Sequence, residues 1–259
     1  MLINNIDPVF LALGPVEIRY YGVMFALGAL LYYFITELLF KREKLPQKDF
    51  DTILVFLFFG LLLGARFGHI VFYNLDYFMA NPSEIIKIWH GGLASHGAAI
   101  GLLIAYSAFC FWKKVEFSKY ADILVIAMPL VAGFVRIGNF FNSEIVGRPT
   151  DLPWGVVFER LGEDFTRHPS QIYEALLAWG VFGILITLYL KMKKRPPYFL
   201  LFAFVGLYFT TRFLVEFVKE YPTWGVLNLT TGQYLSIIPA LLAAVYIVIR
   251  LYRTKSPVS

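Results

Sequence analysis

The sequence predicts an all-α integral membrane protein, a bundle of seven transmembrane helices with a small extracytoplasmic cap. Three observations predict it. Hydrophobic residues make up 58% of the chain and mean hydropathy is +0.64, outside the range of soluble domains. Seven apolar stretches of roughly 20 residues occur, the length a helix needs to cross about 30 Å of hydrocarbon. Alternating segments of about ten residues, the mark of a membrane β-barrel, are absent, so the spans read as helices.

The spans fall at about 20–40, 52–75, 91–112, 121–141, 170–190, 198–218 and 232–252. The polar start "MLINNIDPVF" lacks a basic region, and the first apolar stretch is long enough to span, so no cleavable signal peptide is expected. Residues 142–169, "NSEIVGRPTDLPWGVVFERLGEDFTRHP", are too polar to span and too aromatic for a tether. They read as an ordered cap inserted in a single polytopic domain covering 1–259. No repeat or pair of similar interrupted helices relates two halves.

Lys and Arg set the expected orientation. Fourteen lie in the loops after spans one, three and five and in the C-terminal tail, against six on the other face: Arg19, Lys87, Arg148, Arg160, Arg167 and Lys219. The positive-inside rule then places the N-terminus outside and the C-terminus in the cytoplasm. The net charge of +5 is split among short loops and is no nucleic-acid patch. Cys110 is the only cysteine, which excludes an intramolecular disulfide and a Cys-based metal site. It reads as a packing residue.

Three arginines remain inside the spans: Arg66, Arg136 and Arg212. An ionisable group there costs a few kcal/mol, so each needs a partner or a wet cavity. Counted at 1.5 Å per residue, all three lie in the outer half of the bilayer, with His96 about 8 Å below the outer surface. Four such groups on four helices at one depth call for an anion. Guanidinium forks suit phosphate, and phosphate in the outer leaflet means a phospholipid headgroup. In "LYFTTRFLVEF", Tyr208, Arg212 and Glu216 recur every four residues as one polar stripe, with Glu216 placed to pair with Arg212. In "VRIGNFFNSEIVGRP", Arg136 and Asn139 are helical neighbours, Gly138 permits close approach, and Glu144 and Gly147 follow where helix meets cap. His96 suits either a proton acceptor or an interhelical hydrogen bond, and the small residues around it suit helix packing equally well. His69 reads as packing or as support for a neighbour. No His or carboxylate spacing suggests a metal, and no GxSxG serine turn is present.

"RIGNFFNSEIVG" closely resembles the signature of the bacterial prolipoprotein diacylglyceryl transferases, Arg-x-Gly-Asn-Phe-x-Asn-x-Glu-x-x-Gly. "RYYGVMF", "GARFGHIVFYN", "GGLASHGAAIG", "RHPSQIYE" and "RFLVEF" resemble that family's other blocks in order, so the likeness covers nearly the whole chain. It implies transfer of diacylglyceryl from phosphatidylglycerol to the lipobox cysteine of a prolipoprotein in the bacterial cytoplasmic membrane, forming a thioether and releasing glycerol phosphate. It also implies roles for Tyr21, His96, Arg136, Asn139, Glu144, Gly147, Tyr208, Arg212 and Glu216. The expected mechanism has His96 as base for the thiol and Arg136 and Arg212 neutralising the departing phosphate, with no metal, ATP or other cofactor. A transporter or flippase for an anionic lipid is the alternative, since it too places Arg and His within spans.

Overall fold

The computed structural model describes residues 2–14 and 16–255. In chain order the elements are β1 (Leu2–Asn4), β2 (Val9–Leu13), β3 (Val16–Arg19), α1 (Tyr20–Arg42), α2 (Gln47–Tyr73), α3 (Leu75–Ala80), α4 (Ser95–Lys113), α5 (Ser118–Leu124) and α6 (Met128–Phe141). They continue with β4 (Val156–Phe158), β5 (Thr166–Arg167), α7 (Ser170–Lys191), α8 (Phe199–Val215), β6 (Thr223–Trp224), β7 (Leu229–Thr230) and α9 (Thr231–Lys255). Among the described residues six helices are each long and apolar enough to cross a membrane, or seven if the bent pair α5–α6 is one span. The protein is an all-α, multi-pass membrane protein.

The fourth span differs from a continuous helix over 121–141. It breaks after Leu124 and resumes at Met128 with a 41° bend. Pro129 lies in the first turn of α6, where a missing N–H is tolerated, but its ring would clash with the carbonyl four residues earlier in an unbroken helix. The third span starts later than residue 91 because Gly91 and Gly92 take positive φ values of 83° and 76°. The sixth span runs Phe199–Val218, its α-helical part ending at Val215 where Glu216 opens a short 3-10 turn.

The chain divides into two compact units, residues 1–36 with 121–259 and residues 37–120. In the second, α2 and α4 pack backbone to backbone. Gly60, Gly64 and Gly68 face Gly97, Gly101 and Ala105, and a Cβ on Gly97 would lie 2.7 Å from the Gly68 Cα. The Ala94 N–H donates to the Ala65 carbonyl at 2.9 Å, fixing the entry to α4. Phe40, Phe50 and Tyr120 form a buried aromatic stack, and the Tyr120 hydroxyl donates to Asp49 at 2.6 Å. Cys110 is buried, consistent with packing.

In the first unit, α6 packs on α7 through Gly133, against which the Trp179 indole lies, and α8 packs on α9 with Phe202 stacked on Tyr246. The 142–169 segment contributes β4 and β5, and β1 from the N-terminus pairs parallel to β4. Composition gives no hint of these strands, because each is two or three residues long. Arg167 ties the segment together. It is salt-bridged to Glu163 and Glu220 and donates to the Gly147 carbonyl at 3.1 Å. Its hydrogen bonds hold the Glu163 carboxyl below the usual range, and Glu163 in turn raises the guanidinium.

Candidate functional site

The site in the first unit begins at the C-terminal end of α6. Arg136 Nη1 donates to Asn139 Oδ1 at 3.1 Å, and Asn139 Nδ2 donates to Glu144 Oε2 at 3.0 Å. Asn142 holds the other Glu144 oxygen at 3.0 Å. The chain bends sharply to permit this: Ser143 and Ile145 have φ values of 55° and 57°. A β-branched residue in the left-handed region is strained, and such strain persists where the surroundings over-determine it. Here Gln171 donates to the Glu144 carbonyl at 2.5 Å and Ser170 to the Ile145 carbonyl at 2.7 Å, so the start of α7 clamps the turn. Tyr21 lies against Gly138, where an added Cβ would be 2.9 Å from Tyr21 Cδ2. Gly147 sits between His168 and the Val218 carbonyl with no room for a side chain, and its N–H donates to His168 at 3.0 Å.

A small cavity of about 20 Å³ opens beside Arg136, lined also by Glu174, Tyr208, Thr211 and Arg212. It has room for a water. Arg136 Nε is 3.1 Å from Glu174 Oε2, and Glu174 Oε1 accepts from Lys219 Nζ at 2.8 Å. Lys219 is 2% exposed and lies 3.6 Å from Glu216 Oε2, while Glu216 Oε1 accepts from Thr230 Oγ1 at 3.0 Å. Charges therefore alternate along Glu144, Arg136, Glu174, Lys219 and Glu216. Burial pushes the Lys219 ammonium down, and Glu174 and Glu216 oppose that shift.

Two findings depart from the sequence reading. Glu216 is bonded to Thr230 and Lys219 and makes no ion pair with Arg212. Among the described residues Arg212 has no carboxylate partner, although it is half-buried and lines the cavity. Lys219, counted from sequence as an outer-loop cation, is a buried member of the network, and Glu174 links it to Arg136. The signal for Glu174 was present: it is an acid near the start of an apolar span, in the block "RHPSQIYE".

The second unit holds the remaining candidates. Arg66 is 5% exposed and donates to main-chain carbonyls: Nε to Ile85 at 2.9 Å, Nη1 to Gly91 at 2.6 Å and Nη2 to Glu84 at 2.5 Å. Its guanidinium also lies 4.8 Å from the Phe78 ring centroid. These acceptors surround a side chain that sequence reasoning had placed toward phosphate. His96 is exposed in the first turn of α4, with Phe72 edge-on at 5.0 Å and Tyr73 at 5.6 Å. His69 contacts Asn74 at 3.1 Å and stacks on Tyr73, a supporting position.

Comparison with known proteins agrees with the order of motifs. A family model described as prolipoprotein diacylglyceryl transferase matches residues 8–249. A phosphatidylglycerol–prolipoprotein diacylglyceryl transferase of Tolumonas auensis is 38% identical, over 99% of this chain and 100% of its own length. One from Chloroherpeton thalassium is 39% identical over 94% of this chain and 92% of its own, and one from Geobacter sulfurreducens 40% identical over 85% of each. With the model and the relatives both covering most of its length, the chain belongs to the prolipoprotein diacylglyceryl transferase family.

Proposed function

We propose that this protein transfers the diacylglyceryl group of phosphatidylglycerol to the lipobox cysteine thiol of prolipoproteins, the first step of bacterial lipoprotein maturation. The observation that carries this reading, beside the family, is Arg212: a half-buried guanidinium with no acid of its own among the described residues, lining one cavity with Arg136. Such a pair attracts an anion able to take charge-assisted hydrogen bonds from both guanidinium groups, which is the chemistry of a phosphate.

In the reaction the cysteine thiolate attacks the terminal glyceryl carbon. The S–C bond forms, the C–O bond to phosphate breaks, and its electron pair leaves on the phosphate oxygen as glycerol phosphate. Arg136 and Arg212 stabilise the charge gathering on that oxygen in a water-poor site. His96 accepts the thiol proton. Asn139 and Glu144 fix the Arg136 side chain, Gly147 closes the turn behind them, Tyr21 and Tyr208 line the lipid's path, and Glu216 steadies Lys219. Arg66 contributes by holding the 84–92 turn.

The membrane is the bacterial cytoplasmic membrane, with the N-terminus and the 142–169 cap outside and the C-terminus inside, following the distribution of Lys and Arg. The whole chain acts as one polytopic domain. Incubating purified protein with phosphatidylglycerol and a lipobox peptide tests the reading: the peptide should gain the mass of diacylglyceryl on its cysteine. Movement of labelled lipid between leaflets with no gain of mass would instead support a flippase.

A further inference from the structure

We propose that Lys219 is a positioning residue for the transfer reaction, holding Glu174 so that the carboxylate leaves the Nη2 group of the Arg136 guanidinium open to phosphate. The inference rests on the function proposed above. Lys219 is absent from the cavity lining, whereas Glu174 and Arg136 are part of it, so Lys219 acts through its neighbours.

The geometry shows what it does. Arg136 uses Nη1 for Asn139 and meets Glu174 through Nε, and among the described residues Nη2 has no hydrogen-bond partner. Glu174 presents only Oε2 to Arg136, because Oε1 is held 2.8 Å from Lys219 Nζ. A carboxylate released from Lys219 would be free to turn and take Nε and Nη2 together in the bidentate arrangement that Arg and carboxylate favour. That would close Nη2, the donor left for a phosphate. A substrate would then have to displace a bound carboxylate instead of meeting an open donor.

Lys219 is well placed for the task. Its main chain is anchored independently, with the carbonyl accepting from Arg148 Nε at 2.8 Å and a backbone bridge to Gly147. Its ammonium is enclosed by Glu174 from α7, Glu216 from its own turn and the Tyr221 ring at 5.8 Å, so it has no other role at the surface. Lysine suits this position because a compact ammonium takes one carboxylate oxygen as a point charge, whereas a fork would compete for both.

The test measures transfer at varied phosphatidylglycerol for wild type, Lys219→Met, Glu174→Gln and the double variant, with thermal midpoints recorded in parallel. Lys219→Met is expected to raise KM for the lipid by at least about tenfold while kcat falls by less than about threefold. In the Glu174→Gln background no carboxylate remains to swing onto Arg136, so adding Lys219→Met should change KM by less than about twofold. If Lys219→Met alone fails to insert, Lys219→Met combined with Glu216→Gln decides against Glu216→Gln alone, because it neutralises the acid that would lose its cation and keeps Glu174 free to turn onto Arg136: KM should again rise by at least about tenfold, and an unchanged KM would overturn the proposal. An unchanged KM in Lys219→Met, with only a lower midpoint, would reduce Lys219 to a structural ion pair and overturn the proposal. So would a KM effect of equal size with and without Glu174. A wild-type protein that transfers nothing would remove the transferase reading itself, and this inference with it.

Discussion

Arg136 and Arg212 line one cavity but differ in what holds them. Arg136 is fixed by Asn139 and Glu174, while Arg212 has no acid within reach among the described residues. Arg136 is therefore a preset donor, and Arg212 is the group whose charge an arriving anion must balance. Replacing either by lysine keeps the charge and removes the planar fork. Transfer per inserted molecule should fall by about 100-fold in Arg136→Lys and in Arg212→Lys, the scale of losing one donor to a developing oxyanion. Initial rates normalised to folded protein measure this, and near-normal rates in either would mean that its guanidinium does not grip the phosphate. His96 allows a different test, because its exposed ring has aromatic neighbours on Phe72 and Tyr73. With His96→Gln the defect should be largest at neutral pH and narrow as pH rises toward the thiol's own value of about 8.5, where thiolate forms unaided. A defect of constant size across pH would assign His96 to packing or lipid binding.

Among the elements, α2 and α4 make the tightest contact for a simple reason: glycine faces glycine across it. A Cβ at Gly97 would run into backbone atoms of Gly64 and Gly68, and one at Gly101 into those of Gly60 and Gly64, which cannot move aside as a side-chain tip could. Gly97→Ala should lower stability by about 1–3 kcal/mol, the usual cost of overpacking, seen as a lower thermal midpoint in detergent. Gly180→Ala and Gly183→Ala are the controls, because an added Cβ at either meets nothing within 4 Å. An undiminished midpoint in Gly97→Ala would show that the helices part without cost. The "GGLASHGAAIG" stretch thus divides its work. Gly97 and Gly101 serve packing, Gly91 and Gly92 serve the turn before α4, and His96 stands on the exposed side of the same helix.

For the molecule as a whole, apolar length was legible at once, because the cost of unsatisfied backbone in lipid leaves few alternatives to a helix. The break in the fourth span was not read, although Pro129 marks it, since a proline inside an apolar run permits either a kink or a new start. At the site, Arg136, Asn139 and Glu144 could be grouped from sequence because they lie within nine residues of one another and bond locally. Lys219 and Glu174 could not: their ion pair joins residues 45 positions apart, and Lys219 borders an apolar span where it passes for a loop cation. Glu216 was misdirected for the same reason, since helical spacing favours Arg212 whereas the end of α8 at Val215 turns the acid toward Thr230. The strands β1 and β4 pair residues from the N-terminus and the 142–169 segment, a contact no local pattern announces.

The central claim is chemical: two arginines accept a phosphate as it leaves carbon, and the incoming nucleophile is the substrate's thiolate. Phosphatidylglycerol carrying ¹⁸O in the bond between the diacylglyceryl carbon and phosphorus tests it directly. Mass spectrometry of both products should find one glycerol phosphate released per thioether formed, with all of the label in the glycerol phosphate. Label retained in diacylglycerol, or a phosphorylated cysteine, would place the attack on phosphorus and contradict the account.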